Sequence, residues 1–119
     1  MKISIVIPAR DEEQGLAVLL PELTALYPDA EIIVVNDGST DNTRQVCEDA
    51  GVCVINHPYP KGNGAAVKSG AREACGDYIV FMDADGQHAA AQVTHLLAKI
   101  SEGFDLVVGA RSGREAQAS

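Results

Sequence analysis

A chain of 119 residues has room for one globular domain, and its 46% apolar content is ordinary for a folded protein. Aromatic residues make up only 4%, so we expect a core of Val, Ile, Leu and Ala, which suits a buried parallel sheet. The formal net charge of −8 leaves no basic stripe for nucleic-acid phosphates, and we therefore expect no nucleic-acid partner. An anionic ligand could still bind through a bridging divalent cation.

Three cysteines without a CxxC spacing favour reduced thiols in a cytosolic compartment over a disulfide framework or a zinc site. The N-terminal apolar run is too short for a signal peptide, and no stretch approaches the roughly 18 apolar residues of a membrane span. We therefore predict a soluble cytoplasmic domain, at the cytoplasmic face of a membrane if an anchor lies outside this chain.

Apolar runs alternate with helical patterns along the chain. The predicted strands are Ile3–Ile7, Glu31–Val35, Val52–Ile55, Tyr78–Met82 and Asp105–Val108. Helices are predicted from apolar faces within Leu16–Leu23, Val67–Ala74 and Val93–Ile100, and a shorter helix at Asp41–Ala50. Pro8 is expected to end the first strand, Asp11 is a candidate cap for the first helix, and Ser39 or Thr40 for the second.

This alternation predicts an α/β fold with an open, mainly parallel sheet and helices on both faces. We expect one domain over residues 1–111, ending after the fifth strand, and a disordered tail over residues 112–119.

Ligands of open α/β sheets bind outside the carboxyl ends of the strands. Polar residues follow four of the predicted strands: Arg10-Asp11-Glu12, Asn36-Asp37-Gly38, Asn56-His57, and the run from Asp83 to His88. Carboxylates from three strand ends would repel one another at this edge, and a bound cation would relieve that repulsion.

The strongest local signal is Asp83-Ala84-Asp85. In an extended segment both carboxylates point to one side, and Gln87 continues the same spacing. Hard oxygen ligands suit Mg²⁺ or Mn²⁺, which keep positions open for substrate phosphates. The alternative is a cap for a helix beginning near Ala89, which would need only one of these side chains. His88 borders this acidic cluster.

Asp37 is expected to accept hydrogen bonds from a ligand, because Ser39 and Thr40 are closer to the next helix and can cap it. Gly38 would let the backbone turn sharply or approach the ligand closely. For Asp11 and Glu12 two interpretations stay open. Either they contact a ligand, or their negative charges merely interact favourably with the dipole of the first helix.

The stretch KGNGAAVKSG contains neither a Walker A loop nor a dinucleotide fingerprint. Its glycine turn and Lys61 could support an anionic ligand at a helix start. Alternatively, Gly64, Ala65 and Ala66 allow tight packing of the helix on the sheet. Arg111 could reach a diphosphate or remain a solvated side chain.

Five segments, IVIPARDEE, VVNDGSTDNT, KGNGAAVKSG, YIVFMDADGQH and LVVGARSG, occur in the order and spacing of family 2 glycosyltransferases. The chain resembles most closely the dolichol- or polyprenol-phosphate sugar transferases of that family. The resemblance implies a GT-A fold and transfer, with inversion, of a sugar from a UDP- or GDP-sugar to an acceptor such as a polyprenol or dolichol phosphate. It also implies a Mg²⁺ or Mn²⁺ cofactor.

The resemblance further implies a set of site residues. The nucleotide-sugar would contact Pro8, Ala9, Glu12, Asp37, Lys61, Asp83 and Arg111, and the metal would be held by Asp83, Asp85 and Gln87, with the two acids as catalytic residues. This chain departs from the family pattern in having Arg10-Asp11 for Tyr-Asn or Lys-Asn, Asn63 for a lysine, and Ala89 and Ala90 for prolines.

Two other functions stay open. Relatives of this type continue for roughly another hundred residues, enough for an acceptor site. The chain could therefore be a nucleotide-sugar-binding fragment or module without transfer activity. A nucleotidyltransferase also uses carboxylate-held Mg²⁺, but it should carry a glycine-rich, basic loop after the first strand, and PARDEE is not such a loop.

Overall fold

The computed structural model describes residues 2–84 and, as backbone, two short strands near the C-terminus. The strands are β1 Ile3–Ala9, β2 Glu31–Asp37, β3 Cys53–His57, β4 Tyr78–Phe81, β5 Val107–Val108 and β6 Gln117–Ala118. The helices are α1 Glu13–Leu26, α2 Thr43–Ala50 and α3 Asn63–Glu73. The helix predicted from Val93 to Ile100, and residues 105–106 of the predicted fifth strand, lie outside the described residues.

The strands form one sheet in the order β3-β2-β1-β4-β5-β6. All pairs from β3 to β5 are parallel, which confirms the predicted open, mainly parallel α/β sheet. β6 pairs with β5 in the antiparallel sense and belongs to the segment that was expected to be a disordered tail. From β1 the chain builds outward to β3 and then crosses to β4 on the opposite side. The crevice between the carboxyl ends of β1 and β4 is thus the topological switch point, where such sheets bind ligands.

Helices cover both faces of the sheet. The core on one face joins alternate residues of β1 and β2 to α1 and α2, with Ile5, Ile7, Leu16, Leu20, Leu23, Val34, Cys47 and Val80 among its buried members. The opposite core lies under α3 and consists of Val6, Ile33, Val35 and Ala66. Among the described residues, no helix combines the length and apolar content that crossing a membrane requires.

The first strand does not stop at Pro8, as expected, but continues to Ala9 with Pro8 opposite Val35 of β2. The C=O of Val6 accepts a hydrogen bond from Met82 N at 3.1 Å, so the backbone hydrogen-bonding groups of Val6 face β4. The backbone of Pro8, two residues later, faces the same side of β1. It lies beyond Val6, the last residue of β1 that pairs with β4. A proline at that place removes no ladder hydrogen bond and is therefore compatible with a central strand.

β2 and β3 also run two residues past their apolar segments. Asn36 lies opposite Asn56 and donates from Nδ2 to its Oδ1 at 2.9 Å, and Asp37 lies opposite His57. Side chains that looked like loop residues are therefore held in strand register at the carboxyl edge.

The close packing of α3 on the sheet depends on Ala66 and Gly70 and not on Gly64. A Cβ at Gly70 would lie 2.2 Å from Cγ1 of Val6, whereas Gly64 is exposed and has no neighbour within 4 Å of the position of a Cβ. The alternative that Gly64 serves helix–sheet packing is therefore wrong.

We expect Gly70→Ala to lower the free energy of unfolding by about 1–3 kcal/mol, because its methyl group must displace Val6 in a packed core. Gly64→Ala is the matched control, since it adds the same group to the same helix in open space. It should raise the stability by up to roughly 1 kcal/mol, through helix propensity alone. Urea denaturation of both variants tests this pair, and equal shifts would contradict the packing role of Gly70.

Candidate functional site

The loop after β1 is bonded to the loop after β2 at the carboxyl edge. The backbone N–H of Asp11 donates to Ser39 Oγ at 2.9 Å, and Oδ1 of Asp11 accepts from Thr40 N at 2.7 Å. Asp11 adopts a φ of 54°, the one positive φ of a non-glycine residue among the described residues. Asp and Asn tolerate this left-handed conformation better than most residues. Asp11 is therefore a brace between two loops.

The first turn of α1 obtains its hydrogen-bond acceptors from the second loop. Glu12 N donates to Thr43 Oγ1 at 3.0 Å and Glu13 N to Asp41 Oδ2 at 3.3 Å. The expectation that Asp11 caps α1 is thus wrong, because this helix has Glu12 as its N-cap without a side-chain cap bond. The N–H groups that a helix start leaves unpaired are satisfied instead from a neighbouring segment.

The start of α2 also differs from its prediction. Ser39 and Thr40 bond Asp11 and do not cap this helix. Instead Asp41 Oδ1 accepts a hydrogen bond from Thr43 N at 2.9 Å. Burial raises the pKa of Asp41, but its hydrogen bonds, chiefly from Thr43, outweigh that effect, and the net pKa lies below its ordinary value.

Asp37 is buried and already satisfied from within the protein. Its Oδ1 accepts from Lys61 N at 2.8 Å and from His57 Nδ1 at 2.8 Å, and its Oδ2 accepts from Gly62 N at 3.0 Å. The protein thus occupies three of the roughly four acceptor positions of this carboxylate, which leaves one for a ligand. Burial raises the pKa of Asp37, yet the hydrogen bonds from His57, Lys61 and Gly62 outweigh it, so the pKa lies below its ordinary value.

His57 is a residue whose role the sequence reasoning missed. It is 8% exposed, and its Nε2 lies 2.9 Å from Ser69 Oγ of α3, so it connects β2, β3 and α3. The position of His57 directly opposite Asp37 would have indicated this role, but only once the register of β2 and β3 was known.

Gly38 is required for the sharp turn that was one of its two predicted roles. Its φ is 70°, and a Cβ would lie 2.5 Å from the backbone N of Pro60. The close approach that the structure shows at Gly38 is to the loop between β3 and α3. In that loop Lys61 is exposed, with its Nζ 5.5 Å from the centre of the Tyr59 ring.

The switch-point crevice is bordered by several of the predicted site residues. Pro8, Ala9 and Glu12 lie at the exit of β1, and Asp83 follows β4, the strand beside it. Pro8, Glu12 and Asp83 are half-buried and Ala9 is buried. Ala84 is buried and its carbonyl oxygen lies close to Gly15 of α1.

Four predicted candidates, Asp85, Gln87, His88 and Arg111, lie outside the described residues. Within the described part of the chain, no group of three or more His, Cys, Asp or Glu side chains is arranged to hold a metal ion. Of the predicted metal ligands, the described edge thus contributes Asp83, at the exit of β4 beside β1.

Substitutions of Asp11 should separate backbone conformation from hydrogen bonding. Asp11→Asn keeps both and should leave stability nearly unchanged. Asp11→Gly loses only the bond to Thr40, and Asp11→Ala loses the bond and forces a positive φ, costing about 1–2 kcal/mol more than Gly. Urea denaturation gives the order, and a glycine variant less stable than the alanine variant would refute the conformational part.

The lowered pKa of Asp37 predicts a pH-dependent difference from Asp37→Asn. A carboxyl whose pKa is lowered in the folded state stabilises the fold at a pH above its ordinary pKa of 3.8. That stabilisation is lost as the pH falls through the pKa of the folded state. At pH 7 the variant should be about 1–3 kcal/mol less stable, because the N–H of Gly62 would face an amide donor. The gap in urea midpoints should narrow below about pH 4. A gap that is constant with pH would contradict this assignment.

The family described as glycosyl transferase family 2 matches residues 4–117 of the chain. A curated relative is the undecaprenyl-phosphate 4-deoxy-4-formamido-L-arabinose transferase of Pseudomonas fluorescens (strain SBW25). It is 34% identical over 125 residues, which are 95% of this chain and 36% of the relative. The chain thus spans little more than a third of the length of this relative, and the resemblance to polyprenol-phosphate sugar transferases is confirmed.

Two solved structures are similar in fold and sequence. Glucosyl-3-phosphoglycerate synthase from Mycobacterium tuberculosis, in complex with Mn²⁺ and UDP-glucose, has a TM-score of 0.72 and 26% identity, over 86% of this chain and 40% of that one. S. aureus TarS 1–349 in complex with UDP-GlcNAc has the same TM-score and identity, over 86% and 32%. The GT-A type of the fold is thereby confirmed. Since the family match extends over nearly all of the sequence, the chain belongs to glycosyl transferase family 2.

Proposed function

We propose that the chain is the donor-binding part of an inverting glycosyltransferase that transfers a sugar from a nucleotide-sugar to a polyprenol phosphate. The observation that carries the proposal is the place of Asp83, a carboxylate at the exit of β4 beside the exit of β1. This crevice is where parallel α/β sheets bind nucleotides. Membership of family 2 supports the same site.

The nucleoside would lie against Pro8, Ala9 and Glu12, at the end of β1. A carboxylate can accept about four hydrogen bonds, and Asp37 already accepts three from the protein. We therefore assign Asp37 chiefly to holding the backbone of Lys61 and Gly62 at the rim, with one acceptor position remaining for the base. Lys61, exposed at that rim, would approach the phosphates.

A divalent cation would be held by Asp83, together with Asp85 and Gln87, which lie outside the described residues. The hard carboxylate oxygens of Asp83 fit Mg²⁺ or Mn²⁺, and such ions take the rest of their ligands from water and substrate phosphates. The solved complex with Mn²⁺ and UDP-glucose supports a metal in a related fold. When bound, the cation would neutralise the diphosphate and make the nucleotide a better leaving group.

The names of relatives and neighbours bear on donor and acceptor. Both solved complexes contain UDP-sugars, so we favour UDP over GDP. The curated relative is named for undecaprenyl phosphate, which supports a polyprenol phosphate as the acceptor. A phosphate oxygen is already anionic and needs no general base for attack on the anomeric carbon, whose configuration it would invert. Arg111 would lie near the sugar and phosphates.

The chain should bind UDP-sugars in calorimetry when Mn²⁺ or Mg²⁺ is present and much more weakly with a chelator. Asp83→Asn and Asp85→Ala should remove this metal dependence, because each deletes a charged oxygen ligand. Asp49→Asn, an exposed acid of α2, is the control and should bind like the unchanged chain. Metal-independent binding of equal strength in both site variants would exclude the metal assignment.

Transfer is a separate question, because the chain matches only 36% of its curated relative. A longer natural protein that contains this chain should transfer sugar to polyprenol phosphate, whereas this chain alone should bind the donor only. Donor binding without transfer in the longer protein would favour a nucleotide-sugar-binding module.

A further inference from the structure

We propose that Gly15 of α1 is a positioning residue that sets the place of Asp83 at the switch-point crevice. The proposal rests on the proposed function, because it concerns the carboxylate assigned there to the metal. Gly15 does not itself touch donor or metal in this account. Its contribution is the space that it leaves for the chain leaving β4.

The observation is a close approach between a helix and the backbone of the β4 exit. A Cβ at Gly15 would lie 2.8 Å from the carbonyl oxygen of Ala84, 3.3 Å from Oε2 of Glu12 and 3.7 Å from the carbonyl carbon of Ala84. The Glu12 carboxylate ends a flexible side chain and can turn away, so the contact with Ala84 is the limiting one. Protein Cβ atoms essentially never come so close to another heavy atom, and a backbone oxygen cannot rotate away as a side chain can. Any residue other than glycine therefore requires a shift of α1 or of the segment at Asp83 and Ala84.

The first turn of α1 is the less movable of the two partners. Its N–H groups at Glu12 and Glu13 are bonded to Thr43 and Asp41 of the loop after β2. One residue after Gly15, the buried face of the helix begins at Leu16, which is fully inaccessible to solvent. A shift of this turn would break hydrogen bonds and core contacts together.

The β4 exit is fixed on its other side by the hydrogen bond from Met82 N to Val6 O at 3.1 Å. Displacement must therefore fall on Asp83 and Ala84, directly after that anchor. Restoring an ordinary separation means moving from 2.8 Å to about 3.4 Å, a change of roughly 0.6 Å. Metal and substrate sites work within about 0.5 Å of their productive geometry.

Because of helix propensity, a role of Gly15 in positioning Asp83 can be distinguished from a role in stability alone. Glycine within a helix is less favourable than alanine, so Gly15→Ala by itself should stabilise α1. This gain offsets part of the cost of displacing the buried Ala84, so we expect the variant to fold and to lose less in melting temperature than Gly70→Ala, whose Cβ contact is shorter. The cost should appear in metal-dependent binding, where changes in residues that orient metal ligands lower affinity about 10- to 100-fold.

The test is the affinity for UDP measured by calorimetry with Mn²⁺ and with a chelator, alongside the melting temperature, for the unchanged chain and for Gly15→Ala. Gln14→Ala, at the exposed neighbouring position of α1, and Gly64→Ala, in open space on α3, are the controls. The proposal is supported if, among these three variants, Gly15→Ala alone loses 10- to 100-fold of its affinity for UDP in the presence of Mn²⁺. Its affinity in the presence of chelator should be unchanged, and the melting curve should show that the variant is still folded. Gly15→Ser adds the same Cβ and should give the same result.

Two results would overturn the inference while the proposed function stands. One is an unchanged affinity with Mn²⁺ in both Gly15 variants. The other is a parallel fall in melting temperature and in affinity with and without Mn²⁺, which would mean that the contact serves only folding. If the unchanged chain shows no Mn²⁺-dependent binding of UDP, the proposed function itself fails and this inference fails with it.

Discussion

The carboxyl edge depends on how the first turn of α1 finds acceptors for its N–H groups. A helix start leaves several such groups unpaired, and here the loop after β2 supplies the acceptors through Thr43 and Asp41. The bonds join the exits of β1 and β2, which are neighbours in the sheet. Because the first turn of α1 is fixed by these bonds, it provides a rigid surface. The exit of β4 packs against that surface where Ala84 approaches Gly15. Three strand exits thus take their relative positions from one helix turn.

A second hub joins the exits of β2 and β3 to α3. The Asp37 carboxylate is buried, and this would be costly without hydrogen bonds to its charged form. Donation by His57 and by the N–H groups of Lys61 and Gly62 meets that cost and lowers the pKa. The start of α3 and the Lys61 loop are fixed as a result. The two sets of hydrogen bonds are adjacent at Gly38, which begins the loop after β2. Its left-handed turn lies against Pro60 of the loop between β3 and α3.

The charge of the edge is therefore arranged differently from the picture suggested by the sequence. A cation was expected to relieve repulsion among the carboxylates at the strand exits, but two of these acids, and Asp41 beside them, already have hydrogen-bond donors from the protein. Asp11, Asp37 and Asp41 each accept hydrogen bonds from backbone N–H groups. At Asp37 and Asp41 these bonds favour the charged carboxylate without any metal, and the pKa of each lies below its ordinary value. The argument for a cation therefore depends mainly on Asp83 and the residues after it.

Apolar runs were sufficient to predict the first four strands, because strands buried on both faces have few polar positions. Apolar residues at helical spacing predicted α1 and α3. The helix α2 was predicted from the candidate caps Ser39 and Thr40, which the structure uses elsewhere. The apolar runs could not locate the ends of β2 and β3, since Asn36 and His57 are polar and are held by partners in another strand. The role of Gly15 was also beyond sequence reasoning. A single glycine in a helix shows no periodicity, and its meaning depends on Ala84, nearly seventy residues away.

The same geometry explains why one departure from the family pattern is harmless. The family often has Asn where this chain has Asp11, and position 11 requires a positive φ and an acceptor for Thr40 N–H. Asn and Asp meet both requirements, because each tolerates the left-handed region and carries a carbonyl-type oxygen at the same place. The constraint that the structure shows at this position is thus the joining of two loops. The exchange of Asn for Asp at this position therefore leaves the hydrogen bonds between the two loops intact.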